Sequence, residues 1–369
     1  MKRILSLLII SLLLNNFCFS YEYPREIQSE ISEQLKSSDV GKIKENLPDY
    51  SIDLLEQSNV KDIFSVKNLN NQKIFDMVLD LLKKYLINPL KIIVPVISVI
   101  IIYSFFSYFF VDNQKIIKFI ITCFSCISMS YPVLITVKNV VLSLNAASKF
   151  VLFFIPIFMT FAISAGTPLS SAAFNSAILY FNQIVMEITN HLVVPINNTL
   201  TGLCMISSLS TEIKIKKIFD IFYSIIKWCL IFFGLLISFV FSIQKIIGES
   251  SDSIISKEIK FASGLVPIVG TSLSDAAGIV QSSAKILETN VGIFGIISLF
   301  FVFLPCILEC ISWNIVFQIC EFLSQIFGFE NLEILFSSLK KTINVILSLV
   351  IIFLFIFIFS TGAIISIKL

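Results

Sequence analysis

From Ile92 to Ile367 the chain alternates long apolar stretches with short polar breaks. The last stretch, Ile343 to Ile367, carries no ionisable side chain. A helix needs roughly 20 apolar residues to cross a bilayer core about 30 Å thick. The pattern therefore predicts an all-α, polytopic helical membrane protein with about seven or eight transmembrane helices. The expected spans begin with Ile92–Val111, bounded by Lys91 and Asp112, and Ile116–Val137. A milder segment, Val140–Ser148, precedes Phe150–Ala165. Two less hydrophobic segments follow, Leu169–Ile188 and Leu192–Leu209. Ile218–Ile247 is long enough to tilt. Val291–Trp313 leads into an amphipathic or half-inserted Ile315–Phe327, and Ile343–Ile367 closes the series.

The first 91 residues read differently, and the chain divides into segments 1–20, 21–91 and 92–369. Met1–Ser20 has the layout of a signal peptide: Lys2 and Arg3, an apolar run from Ile4 to Leu14, then Cys18-Phe19-Ser20 with small residues at the recognition positions. Cleavage after Ser20 is expected, with retention as an anchor the alternative. Tyr21–Lys91 is then extracytoplasmic. It has a slight acidic excess and apolar residues at helical spacing, such as Ile27, Ile31 and Leu35, and later Ile74, Val78, Leu81 and Leu82. Pro48, Asp49 and Asn88-Pro89 punctuate it. Two or three short amphipathic helices are expected, the last leading into the membrane. Such a region is either a small helical cap or a partner-docking surface.

Positive charge sets the orientation. Lys115 and Lys118 mark one short loop, Lys214, Lys216 and Lys217 a second, Lys340 and Lys341 a third. With the N-terminal region outside, eight spans place all three clusters in the cytoplasm.

Composition agrees. Of 369 residues, 56% are hydrophobic and 14% charged, and the mean hydropathy is +0.91. Soluble domains carry about 25% charge. The net charge of +2 gives no basic face for nucleic acid. None of the eight cysteines lies in Tyr21–Lys91, where a disulfide scaffold would place them. Cys123-x-x-Cys126 sits mid-span with no second pair and one His in the whole chain, which reads as packing and not as a metal site.

Two regions break the apolar rule, near 162–177 (AISAGTPLSSAAFNSA) and 262–284 (ASGLVPIVGTSLSDAAGIVQSSA). Small residues let helices approach closely, and Gly166-Thr167-Pro168 and Pro267 to Gly270 should interrupt them. Broken backbone at membrane depth is tolerated inside protein or beside a water-filled cavity. Close packing, an extracytoplasmic loop and a re-entrant pathway segment are the available readings. Ionisable groups inside the membrane are functional candidates by default. Lys227 lies within Ile218–Ile247 and either snorkels beside Trp228 or serves a pathway. Glu309 near the end of Val291–Trp313 is interfacial or functional, and Asp275 lies in the second small-residue region. Glu187 and His191 share a helix face but lack the ligands of a metal site. No G-x-x-x-x-G-K-[ST] loop is present, and Ser274 beside Asp275 has no evident base. No catalytic residue, cofactor or metal is expected, and the chain is not read as an enzyme.

The second half carries a family resemblance. Lys227-Trp228, Ser242-Ile243-Gln244, Asp252 and Lys260-Phe261 are followed by Gly264-Leu265-Val266-Pro267-Ile268-Val269-Gly270, Leu273-Ser274-Asp275-Ala276 and Asn290-Val291-Gly292. This order resembles the stage III sporulation protein AE family of endospore-forming Firmicutes. Thr289 and Glu309 depart from the family pattern, which leads one to expect basic residues there.

The resemblance implies a multi-pass protein of the mother-cell membrane around the forespore. It implies membership of a transenvelope channel complex that sustains forespore gene expression after engulfment. Expected partners are the lipid bilayer, the other stage III sporulation A proteins, including ring-forming and ATPase-like subunits, and a forespore channel partner. On this reading Lys227, Gly264, Pro267, Gly270, Ser274, Asp275 and Glu309 are candidate pathway or packing residues. The alternative is a secondary transporter for a small solute, which the broken segments also fit.

Overall fold

The structure is a computed structural model that describes residues 41–60, 63, 65, 71–106, 114–209, 215–264 and 269–366. For residues 71, 249, 251, 253–264 and 269–277 only the backbone is described. The signal-peptide segment 1–20 and the first part of the N-terminal region lie outside the described residues.

All regular structure among the described residues is helical. Two short helices come first, α1 (Gly41–Glu45) and α2 (Asp49–Gln57). The long helices are α3 (Asn71–Phe106), α4 (Gln114–Ser164), α5 (Pro168–Ile188), α6 (Val194–Leu209), α7 (Ile215–Gly264), α8 (Val269–Ile326) and α9 (Glu330–Ile365). A single π-turn, Thr189–Val193, joins α5 to α6 into one rod. Pro195 explains it. Proline has no N–H to return to the preceding turn, and the wider i→i−5 spacing, seen in the bond from Val194 N to Thr189 O, accommodates the gap.

Among the described residues, six helices are long and apolar enough to cross a membrane: Gln72–Phe106, Gln114–Ser164, Pro168–Leu209, Ile215–Gly248, Gly278–Ile326 and Glu330–Ile365. Expected spans merge into these longer helices for a local reason. Ile116–Val137 and Phe150–Ala165 lie on one helix of 51 residues, about 76 Å long. The milder stretch between them contains neither Gly nor Pro, and its Val140, Leu144 and Ala147 are buried against the bundle. The two weaker segments likewise share the α5–α6 rod. Asn88-Pro89 does not end a helix either; α3 runs through Pro89 and Pro95. Membrane helices tolerate such prolines when neighbours stabilise the freed backbone, and Pro89 faces inward. The helix does break at Gly166-Thr167-Pro168, between α4 and α5, where Gly166 has φ 99°. Helix α7 is described as far as Gly264 and α8 from Val269; residues 265–268, where an interruption at Pro267 is expected, lie outside the described residues.

Named contacts fix the register of the rods. Lys341 Nζ bonds Asp220 at 2.7 Å, and Lys245 Nζ bonds the Ser366 hydroxyl at 2.8 Å, so α7 and α9 run parallel for 25 residues, about 38 Å. That length matches a bilayer core with its interfaces. Lys340 reaches back to Gln318 and Glu321, making α8 and α9 an antiparallel pair. Lys118 of α4 donates to Gly328 O at 3.0 Å, and its ammonium lies 5.3 Å from the Phe329 ring. At the opposite end, Gln281 of α8 donates to Ala165 O at 3.1 Å. The three basic clusters read from the sequence thus gather at one end of the bundle.

The core between these ends is aromatic. Phe150, Phe154 and Phe158 stack in succession along α4, and Phe357 of α9 lies against the first two. Gly295 of α8 permits this approach: a Cβ there would fall 2.2 Å from the Phe154 ring.

Candidate functional site

The helices bring their polar side chains together in two places. The first lies where α2, α3, α4 and α8 meet. Glu309, on the face of α8 toward α4, accepts a hydrogen bond from Thr136 Oγ1 at 2.8 Å and two from Asn139 Nδ2, at 3.0 and 3.3 Å. Thr136 and Asn139 are three apart and share a helix face. Tyr85 of α3 and Cys306, one turn before Glu309, are its electrostatic neighbours. No cation pairs with Glu309 among the described residues, so neutral donors carry its charge.

Two turns before Glu309 on α8, Tyr50 of α2 donates its hydroxyl to Val302 O at 3.0 Å. Burial, reinforced by Cys306, pushes this phenol up to about 12, although a hydrogen bond with Ser143 acts the other way. It remains a donor at neutral pH. Leu54, Leu55 and Val60 join the apolar core, so the N-terminal region is packed onto the membrane helices and not tethered beside them. What this crevice offers is a half-buried carboxylate, fixed by two side chains of a neighbouring helix, beneath a docked amphipathic segment.

The second place is the elbow between α4 and α5. Helix α5 starts at Pro168, and its N-cap Thr167 makes no side-chain cap bond. Asp252 of α7 supplies the cap instead, accepting from Leu169 N at 3.0 Å and Ser170 N at 3.1 Å. The carboxylate is 2% exposed, and the helix dipole at this terminus favours it there. Gly248, one turn earlier on α7, lets the helices meet; a Cβ there would fall 2.2 Å from Ser170 Oγ.

The sequence candidates do not converge. Lys227 is on the outer face of α7 beside an exposed Trp228, among Phe222, Ile225 and Phe232, away from Glu309. It lies seven residues beyond Asp220, about 10 Å from the basic end, where its stem can follow the apolar surface outward. Gly264 ends α7. Pro267 lies outside the described residues, and so do the side chains of Ser274 and Asp275, which with Gly270 fall in the first turns of α8. Glu309 alone among them takes part in a described polar cluster. Its partners Thr136 and Asn139 were missed, although a Thr-x-x-Asn pair at the end of an apolar run is a readable signal. Glu187 and His191 form an exposed pair at 3.3 Å. No group of three or more His, Cys, Asp or Glu is placed to hold a metal among the described residues. The seven described cysteines are free thiols.

The family comparison is broad. The family model described as stage III sporulation protein AE matches residues 56–368. A relative from Bacillus subtilis (strain 168), itself stage III sporulation protein AE, is 24% identical over 155 residues. That alignment covers 42% of this chain and 39% of the relative's length. No solved structure matches. The match takes in every long helix from α3 to α9, the Glu309 cluster and the elbow, and with it the chain belongs to the stage III sporulation protein AE family.

Proposed function

We propose that this chain is a membrane subunit of the transenvelope channel complex joining mother cell to forespore, required for forespore gene expression after engulfment. The match over residues 56–368 carries the reading. The complex supplies the partners: other stage III sporulation A proteins, ring-forming and ATPase-like among them, and a forespore protein. The chain lies in the mother-cell membrane around the forespore.

Its geometry supports a scaffold or conduit role. Six crossings keep the orientation that eight would give, because one helix replaces two at both α4 and the α5–α6 rod. The basic end, with Lys118, Lys340 and Lys341, then faces the mother-cell cytoplasm. The N-terminal region lies toward the intermembrane space, and α2 offers partners an exposed acidic rim of Asp49, Asp53 and Glu56. The Tyr50 bond couples that rim to α8.

The test is replacement of the native gene by one lacking residues 21–65, which leaves α3 whole, but retaining the signal segment, with membrane levels of the product matched. A late forespore reporter should fall silent after engulfment completes. Reporter activity and spore yield equal to the parent strain would overturn the reading.

A further inference from the structure

The α5–α6 rod carries polar side chains on its outer face. Gln183, Glu187, Asn190, His191, Asn198 and Thr199 are all exposed. Intervals of three and four place the first four on one side of the helix. Eight residues separate Asn190 from Asn198, and the π-turn absorbs one of them, which keeps the last pair in line. Among the described residues the hydrogen bonds of these side chains stay within the rod. Gln183 Nε2 donates to Glu187 Oε1 at 3.3 Å, His191 Nε2 lies 3.3 Å from Glu187 Oε2, and Thr199 Oγ1 donates to Pro195 O at 2.9 Å.

This stripe lies at membrane depth. The rod runs antiparallel to α7: Ser170 meets Gly248, and the ring centroids of Phe181 and Phe241 are 5.2 Å apart. The same register puts Gln183 level with Phe239 and Thr199 level with Tyr223. Both fall inside the stretch of α7, from Asp220 to Lys245, that matches a bilayer. At that depth α7 exposes Ile225, Phe232, Leu235 and Phe239, a surface suited to lipid. The rod beside it exposes amides, a hydroxyl and a carboxylate. The Glu187 and His191 side chains are 58% and 80% exposed. Ionisable side chains within membrane spans almost always face protein or water and not lipid. The outer face of the rod therefore needs a polar cover.

We propose that this face is covered by the same face of a second copy of this chain. Copies inserted in one orientation run parallel, and a two-fold axis along the membrane normal sets each residue near its own counterpart. Amides suit that arrangement, because each carries both a donor and an acceptor. Asn190 bonds Asn190 of the second copy, and Asn198 bonds its counterpart one level below. Asparagine and glutamine bonded across an interface hold membrane helices together where apolar burial gives no preference for protein over lipid. Glu187 has Gln183 and His191 one turn to either side, and the second copy presents the same two groups to it. The inference rests on the depth of the rod in the membrane and not on the partners proposed above.

Disulfide cross-linking in membranes tests it. The full-length protein, with a single cysteine at Asn190 or Asn198 in a cysteine-free background, is expressed without other sporulation proteins and treated with the membrane-permeant oxidant copper phenanthroline. Both positions should give covalent dimers several-fold faster than a cysteine at Phe232, which is exposed on α7 at the depth of Asn190. The double variant Asn190→Leu, Asn198→Leu changes exposed positions and leaves the core intact. Followed by FRET between labelled copies on dilution with lipid, it should dissociate at a protein-to-lipid ratio several-fold above that of the parent. Cross-linking no faster than at Phe232, bonds to a different protein in place of dimers, or an unchanged dissociation point in the leucine variant would overturn the proposal.

Discussion

Asp252 caps a helix other than its own: its two carboxylate oxygens accept from the N–H groups of Leu169 and Ser170. The arrangement ties the end of the membrane-length part of α7 to the elbow where the chain reverses between α4 and α5. Replacing a capping side chain by alanine costs about 0.5–2 kcal/mol. Asp252→Ala should therefore lower the detergent-phase unfolding midpoint, and Asp252→Asn, which keeps one acceptor, should lower it less. Equal midpoints for parent and alanine variant would show that the cap contributes nothing.

The same seam depends on Gly248. An added methyl meets the Ser170 side chain and also its Cα, 3.0 Å away, which cannot swing aside. Overpacking of this kind costs about 1–3 kcal/mol. Gly248→Ala should destabilise the protein comparably to Asp252→Ala, while Gly202→Ala, where nothing lies within 4 Å, should not. Parity between the two glycine variants in a thermal melt would remove the close-approach argument.

Glu309 is held by neutral donors, so its neighbours depend on it as much as it does on them. Glu309→Ala leaves the buried Thr136 and the half-buried Asn139 without their acceptor, at a cost of about 1–3 kcal/mol. Glu309→Gln keeps an acceptor and should recover most of that. A glutamine variant no more stable than alanine would mean that the negative charge, not the hydrogen bonds, is what the site requires.

Tyr50 gives the docking of α2 a pH dependence. Its folded value of about 12 lies above the ordinary 10, so the folded state holds the proton more tightly. The linked stability is complete below pH 10 and is lost as pH rises from 10 through 12. Limited proteolysis at the turn after α2 should accelerate across that window in the parent. Tyr50→Phe should be cut faster at pH 8 and show less further acceleration; identical profiles for the two proteins would contradict the Val302 bond.

Much of this architecture is legible in the sequence. Apolar runs mark the helices, Gly166-Thr167-Pro168 marks the elbow, and the lysine pairs mark the basic end. The span boundaries were not legible, because Val140–Ser148 looks polar in one dimension while its apolar face is buried in three. Pro89 misled for a related reason: packing against a neighbour outweighs its local preference. The cap by Asp252 joins positions 82 and 83 residues apart, and the pairing of Glu309 with Thr136 and Asn139 joins positions 170 or more apart. Periodicity carries no information at that range.

The central claim is a bundle crossing the membrane with its three basic clusters on one side. Single cysteines placed at Lys118, Lys217 and Lys340 in a cysteine-free background, expressed in growing cells so that the protein lies in the outer cell membrane and labelled there with an impermeant maleimide, test it most directly. All three should resist labelling until the membrane is permeabilised, while a cysteine at Asp53 of α2 reacts at once. Labelling of any one basic position in sealed cells would contradict the arrangement.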